Sequence, residues 1–500
     1  MPESLAMPDS PAPYRADLLK SLSAAAEAVG EDRVVRASDD GSVPLPATAN
    51  VSMFPPREVH AVIRPRSVDE VRQVVAAFDR FGAGRGLHAV STGRNWGLGS
   101  RESAHDGVVT LDLAGLDQVR DLHTEDGWAV IEPGVTQLRL AQLLDGSDRM
   151  LNVTASSGHT SVLGNMVDRG VGLRHQRTLD LAGLEVVLPD GELIRVGWWP
   201  HKNGATAVNP QGLGPSPLAL FTQSDLGVVT AASVRLLPRP EAQCVLRLGF
   251  PHDRLTAAID ELRRWTSQGL VSGVLKVYDQ VATQSYGGEV GEYLAHLCVD
   301  GTARSVEALS RVIAEEAAAS GLFTRITRSD EQPPTEDDKV GRAVEHAYRG
   351  DPSHNEAMLF SAVGQDAERV DSEGGGWLFF LPLIPFTGAS VTHAQDLLDQ
   401  VHAETGVRPG STINALDPDV IDLVVSFRFP RTEQDAERAH RALDRTYELF
   451  SEAGFLPYRL DADHSQWVDR LSPDAGARTF ARRLKQFVDP NGTIAPGRYS

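Results

Sequence analysis

Apolar residues in this chain follow two rhythms, and the switches between them outline its elements. From Ala61 the run "AVIRP" is short and apolar, which predicts a strand. Ser67 and Glu70 then form a capping box before "VRQVVAAF", whose apolar positions recur at helical spacing. "LHAVS", "GVVTLDL" and "WAVIEPG" predict further strands, and "TQLRLAQLL" a helix. In "LEVVLPDGELIRVG" the pair Asp190-Gly191 supplies a tight turn between two apolar runs, which reads as a hairpin. "LGVVTAASVRLLPRP" is a strand closed by prolines. Residues 61–240 therefore read as an α+β region of many short strands.

After Pro240 the texture changes. Strand-like "QCVLRLGF" precedes the helix "RLTAAIDELRRWTSQ", and a second round ends in the helix "SVEALSRVIAEEAAASG". "RSDEQPPTEDDK" is charged and contains prolines, as a solvated loop does. "GWLFFLPLIPF" and "VIDLVVSFRF" read as buried strands of a second sheet. "DAERAHRALDRTYELFSEAG" is a long amphipathic helix ended by Gly454, and "RRLKQFVDPNGTIAPGRYS" a helix with a turn-rich tail. No internal repeat or low-complexity array interrupts this order.

Length changes the picture first: 500 residues imply two or three domains. A hydrophobic fraction of 41% and a charged fraction of 23% fit a soluble globular chain. The net charge of -20 repels phosphate backbones and argues against nucleic-acid binding. It leaves room for a local anion site built from backbone N–H groups and an arginine. The N-terminus has no basic region followed by an apolar core, and no run is long enough to span a membrane. The reading is a cytosolic protein without a membrane partner, whose first dozen residues form a mobile tail. Cys244 and Cys298 each lie in an apolar run, as buried free thiols do in a reducing compartment.

Several chemistries find no support. "GAGRG" at Gly82–Gly86 follows a helix and precedes a strand, the reverse of a Rossmann loop, and reads as a helix end and turn. There is no phosphate-loop lysine motif, no metal-ligand spacing and no nucleophile elbow, so no metal site is expected. Three segments carry more. "STGRNWGLGS", Ser91 to Ser100, leaves a strand with Gly93, Gly97 and Gly99 where Cβ atoms would block close approach, and Arg94 and Asn95 add donors. It fits a diphosphate cradle or a plain glycine turn. "SSGHTSVLGNMVDRGVG" offers Ser157, Thr160, Ser161 and Asn165 to a polar ligand, or forms tight turns around a short helix. "YRLDADH" sets the Tyr458 phenol beside the Arg459 cation, a clamp for an anionic oxygen or a surface ion pair at a strand end.

Taken in order, these segments resemble the vanillyl-alcohol oxidase / p-cresol methylhydroxylase (PCMH-type) flavoproteins. "PRSVDEVRQVVAAF" and "STGRNWGLGS" are similar to that family's first helix and pyrophosphate loop, and "SVLGNMVDRGVG" to its flavin-side loop. "LFTQSDLGVVTAASVRLLP", "WLFFLPLIPFTG", "PYRLDAD" and "VDPNGTIAPGRYS" continue the match. The resemblance implies an α+β, two-domain PCMH-type FAD-binding fold whose cap is built on an antiparallel sheet. Residues 1–240 would bind FAD, 241–455 would form the substrate-binding cap, and 456–500 would return to the FAD domain. Ser91, Thr92, Gly93, Arg94, Asn95 and Gly97 would hold the pyrophosphate. Ser156, Ser161, Gly164, Asn165, Arg169 and Gly170 would follow the flavin and its ribityl chain. Val228 and Val229 would meet the adenosine side, Arg498 stands at a basic position, and Arg459 would face the flavin's polar edge.

Departures from the family pattern bear on chemistry. Val420, Ile421 and Asp422 stand around the cap position that carries a covalent flavin anchor in many relatives, and Trp96 stands in the loop, so FAD is expected to be non-covalent. Phenol-oxidising relatives clamp phenolate with two tyrosines and an arginine; Tyr458 and Arg459 match two, and Leu98 occupies the third place. The family's pocket aspartate falls near Ser156, with Ala155 before it. These departures weigh against 4-alkylphenols and an aspartate-assisted mechanism, and Ala155 near the oxygen-reactive edge leans toward a dehydrogenase. The expected reaction is hydride removal from a small aromatic or phenolic substrate to flavin N5. The alternatives are oxidation of a non-phenolic alcohol, hydroxy acid or amine, and flavin binding without turnover. Tyr458, Arg459 and His159 are the catalytic candidates, His159 as base because it sits in the flavin-side loop; Asp422 and Asp461 rank behind it. A homo-oligomer is compatible with this reading.

Overall fold

Three large sheets organise the described residues, 12–37, 49–82, 85–200, 207–283, 286 and 288–500 of a computed structural model. The expected tail before residue 12 and the centre of the "GAGRG" turn lie outside them. In the first sheet the order is Val34–Arg36, Val59–Ile63, Val108–Asp112 and Leu87–Val90, with the last three parallel. Helix Val68–Phe81 covers it by burying Val71, Val74, Val75 and Phe78, the spacing of its apolar residues. Ser67 Oγ caps its start by accepting from the Glu70 N–H at 3.2 Å. The Glu70 carboxylate turns instead to the Arg66 N–H and the Arg33 guanidinium. A helix over Ala12–Val29, which the periodicity did not predict, packs on this one.

The second sheet is antiparallel: Val119–His123, Trp128–Ile131, Val228–Arg235, Leu181–Val187 and Leu193–Gly197. Its last pair is the expected hairpin, with Gly191 at φ 87° in the turn. The third sheet starts at Ala242 and has eight antiparallel strands. Their order is Arg325–Arg328, Ala242–Pro251, Glu292–Gly301, Leu275–Tyr278, Gly410–Ala415, Val420–Phe429, Gly376–Pro385 and Leu456–Arg459.

"VIDLVVSFRF" was expected to be simply buried, and it is instead two-faced. Ile421, Leu423, Val425 and Phe427 join the apolar core under helices Leu255–Ser267, Gly388–Thr405 and Glu433–Glu452. Asp422, Val424, Ser426 and Arg428 alternate onto the other face, which borders a cavity. A strand that faces an internal cavity keeps the period of two that a fully covered strand loses.

Leu456–Arg459, expected to open the return to the first half, is the edge strand of this third sheet, beside Gly376–Pro385. The return follows it: Leu87 donates its N–H to Thr493 at 2.8 Å and accepts from the Ala495 N–H at 3.0 Å. Cys244 and Cys298 are buried free thiols. Among the described residues, no helix is long and apolar enough to cross a membrane.

Candidate functional site

A cavity of about 660 Å³ lies between loops of the first two sheets and the polar face of the third. That volume is in the range of cofactor and substrate pockets, about 300–1,000 Å³. Ser91, Thr92, Gly93, Arg94 and Asn95 leave strand Leu87–Val90 and line its floor. Ser156, Ser161, Gly164 and Asn165 line it from the second loop. The two loops touch: Thr92 Oγ1 accepts from the Ser161 N–H at 3.2 Å, and a Cβ on Gly164 would lie 2.3 Å from Ser91 Oγ. Val229 and Arg498 also line the floor.

Five expected residues do not line it. Gly97 sits behind the loop, where a Cβ would lie 2.2 Å from the Phe379 ring. Val228 points into the core under the first sheet, since strand residues alternate and Val229 takes the cavity side. Gly170 lies against the Asn165 amide, and Arg169 turns to Thr222 Oγ1 at 3.3 Å. His159 is near the cavity in sequence but not among its lining residues; its N–H donates to Ser157 Oγ at 3.1 Å. Of the lesser candidates, Asp461 accepts from Tyr447 and His464 away from the cavity, whereas Asp422 lines it.

Buried atoms without partners mark the floor as a ligand cradle. Arg94 Nη1 and Asn165 Oδ1 have no hydrogen-bond partner among the described residues. Burial lowers the Arg94 pKa from its ordinary value, an opposition that an anionic ligand would relieve. Donors from a glycine loop, a buried guanidinium and an amide suit the diphosphate and flavin of FAD. Trp96 also lines the cavity, and its indole N–H is committed to Asp371 at 3.0 Å.

Tyr458 and Arg459 line the roof at the end of the edge strand. Arg459 is not in a surface ion pair. It donates to Asp168, a residue of the second loop, and to Asn95 Oδ1 at 2.9 Å. Tyr499 also donates to Asp168, at 2.8 Å. Burial opposes the Arg459 charge, but Asp168 beside it raises its pKa above the ordinary value, so the guanidinium stays charged. Burial, with Asp422 nearby, raises the Tyr458 phenol well above its ordinary pKa, so it stays a donor.

Asp422 is buried in mid-strand beside Tyr458, and its Oδ1 has no hydrogen-bond partner among the described residues. Burial raises its carboxyl to about 6. Its Oδ2 accepts from Asn414 Nδ2 at 3.2 Å, and Lys276 Nζ donates to Asn414 Oδ1. Lys276 and Asn414 line the cavity and were missed. Lys276 had one signal, a lone charge in the apolar run "LKVY"; Asn414 had none, since "GSTINA" is polar at Ser411 and Thr412 as well.

Comparison with known proteins agrees with this geometry. An FAD binding domain pattern matches residues 59–197. The chain is 27% identical to 1'-carboxy-chondrochloren decarboxylase of Chondromyces crocatus, covering 96% of this chain and 97% of that one. It is 25% identical to the 4-cresol dehydrogenase [hydroxylating] flavoprotein subunit of Pseudomonas putida, covering 94% and 93%. Its fold superposes on p-cresol methylhydroxylase with substrate bound, with a TM-score of 0.82 at 21% identity and 97% of each chain covered. The 4-ethylphenol oxidase of Gulosibacter chungangensis, in its isoeugenol complex, gives 0.84 at 22% identity and the same coverage. The chain carries an FAD binding domain and shares the fold of p-cresol methylhydroxylase and of 4-ethylphenol oxidase.

Proposed function

We propose that this chain oxidises a small phenolic or related aromatic substrate by withdrawing a hydride from it. The observation that carries the reading is one polar corner of the cavity, where Tyr458, Arg459 and Asp422 converge. When bound, FAD supplies the hydride acceptor at flavin N5. The Ser91–Asn95 loop and Asn165 would hold it, and Arg459 would place positive charge at the same end of the cavity.

At neutral pH a carboxyl of pKa about 6 is ionised, so Asp422, which the Tyr458 hydroxyl faces, can accept a substrate hydroxyl proton once that hydroxyl turns to the substrate oxygen. Once that proton moves to Asp422, the substrate oxygen carries the charge. Tyr458 donates to it and Arg459 neutralises it. Asp422 thereby takes the base role expected of His159.

The same geometry gives a pH dependence. Flavin reduction at low substrate is expected to rise with pH through about 6, as Asp422 loses its proton. Asp422→Asn, measured by anaerobic stopped flow, should lose that limb and run about 10²-fold or more slower. An unchanged limb would assign the base elsewhere. Attachment is proposed to be non-covalent: Trp96 is committed to Asp371, and Ile421 faces the core. Acid precipitation should then leave all yellow colour in the supernatant; colour in the pellet would contradict this.

A second reading is loss of carbon dioxide from a carboxylated substrate, the chemistry in the name of the Chondromyces relative. Lys276, a buried cation on the same cavity, supports it.

A further inference from the structure

The phenol-binding corner leaves Lys276 without a task. Its side chain lies mid-strand in Leu275–Tyr278, is 8% exposed and lines the cavity roof. Register fixes its neighbours: Lys276 faces Asn414 on one flank, and Asn414 faces Asp422 on the next strand. An ammonium carries three donors, and one hydrogen bond, to Asn414 Oδ1, accounts for one of them. Among the described residues no carboxylate pairs with Lys276; the Asn414 amide stands between it and Asp422.

On the other flank the carboxylate of Asp338 is taken up by Arg247, at 2.8 Å, and not by Lys276. Lys276 faces His296 there, and His296 faces Arg247. Both His296 ring nitrogens are buried without a partner among the described residues, and burial together with Arg247 and Lys276 keeps the ring neutral. An ammonium in such surroundings loses hydration that the protein does not replace, and burial lowers its pKa to about 8. What the site lacks is an anionic acceptor on the cavity side.

We propose that Lys276, oriented by Asn414, is a subsite for a carboxylate on the substrate, which is therefore a phenol bearing a short acidic side chain. The proposal rests on the phenolic reading for the other end of the molecule. Reach supports it. Lys276 and Asp422 are two strand spacings apart, about 10 Å between backbones. Their charged ends both bond the Asn414 side chain and so lie closer than the backbones, and an aromatic ring with a short chain reaches both, its hydroxyl at Asp422 and Tyr458 and its carboxylate at Lys276. Lys276 would act as a specificity and positioning residue, fixing which side-chain carbon lies over the hydride acceptor.

The test uses a matched pair, 3-(4-hydroxyphenyl)propanoate and 4-propylphenol, which differ by carboxylate against methyl. Equilibrium dialysis against the anaerobically reduced holoprotein measures binding without turnover. The acid should bind at least about tenfold tighter than 4-propylphenol, the scale of one charge-assisted hydrogen bond. Lys276→Gln should abolish that preference and Lys276→Arg should keep part of it. No preference in the unsubstituted protein, or the same preference in Lys276→Gln, overturns the proposal. Bleaching of the oxidised flavin separates the two readings. A Lys276-dependent preference with no bleaching by either compound leaves the subsite standing and removes the phenolic oxidation. Bleaching by 4-propylphenol without any preference for the acid does the reverse.

Discussion

Arg459→Met is expected to slow anaerobic flavin reduction by about 10²–10³-fold, the cost of removing one preorganised donor from a developing oxyanion. Arg459 is the charged member of the corner, and Tyr458 alone leaves a substrate oxyanion uncompensated. The same change strips Asp168 of its cation, leaving Asn95 and Tyr499 as its remaining donors. Breaking a buried pair by removing one partner costs about 3–5 kcal/mol, so the single variant should also melt earlier. The double variant Arg459→Met with Asp168→Asn separates the effects. It removes the uncompensated carboxylate and should recover much of the stability while reduction stays slow. If reduction recovers along with stability, Arg459 acts only by holding the loops together. Arg459→Lys keeps the charge but loses the paired geometry, and should fall between.

The second large effect is expected at Gly97, which does not line the cavity. Its φ is 79°, and a Cβ there would lie 2.2 Å from the Phe379 ring. Its carbonyl also accepts from the Phe379 N–H at 2.9 Å, tying the cradle loop to the cavity roof. Gly97→Val places a β-branched residue in the left-handed region and overpacks the ring, costs of about 1–3 kcal/mol each. Relief requires the loop to leave Phe379, which moves Arg94 and Asn95. The FAD dissociation constant should therefore rise by about 30-fold or more, since each 1.4 kcal/mol is tenfold. Gly212→Ala is the control: its φ is also positive, at 58°, but a Cβ there meets nothing within 4 Å. Its FAD affinity should be unchanged; an equal loss in both variants would mean that backbone strain, not the Phe379 contact, sets the effect.

The cradle was legible because its signals are local. A strand running into a glycine-rich loop with an arginine and an asparagine is contiguous in sequence, and so is the Ser67 cap. The roof was legible only in part. Tyr458 and Arg459 are adjacent, but Asp168, the residue that pins Arg459, is 291 positions away. Lys276, Asn414 and Asp422 lie on three strands, and strand register is not written in any one of them. Asp422 could have been ranked higher, since "VIDLVVSFRF" alternates from Ile421 onward except at Val424 and puts the aspartate opposite the apolar residues. His159 lies in the flavin-side loop, and the turn that holds it directs other residues of that loop to the cavity. Helix Ala12–Val29 escaped because it is rich in alanine and its apolar stripe is faint.

The most direct test of the central claim is anaerobic mixing of the oxidised holoprotein with para-substituted phenols, benzylic alcohols lacking the phenol, and aliphatic hydroxy acids. The clamp of Tyr458, Arg459 and Asp422 predicts that the phenols bleach the flavin and that the aliphatic hydroxy acids do not. Bleaching by the hydroxy acids alone, or by none of the three classes, would contradict it.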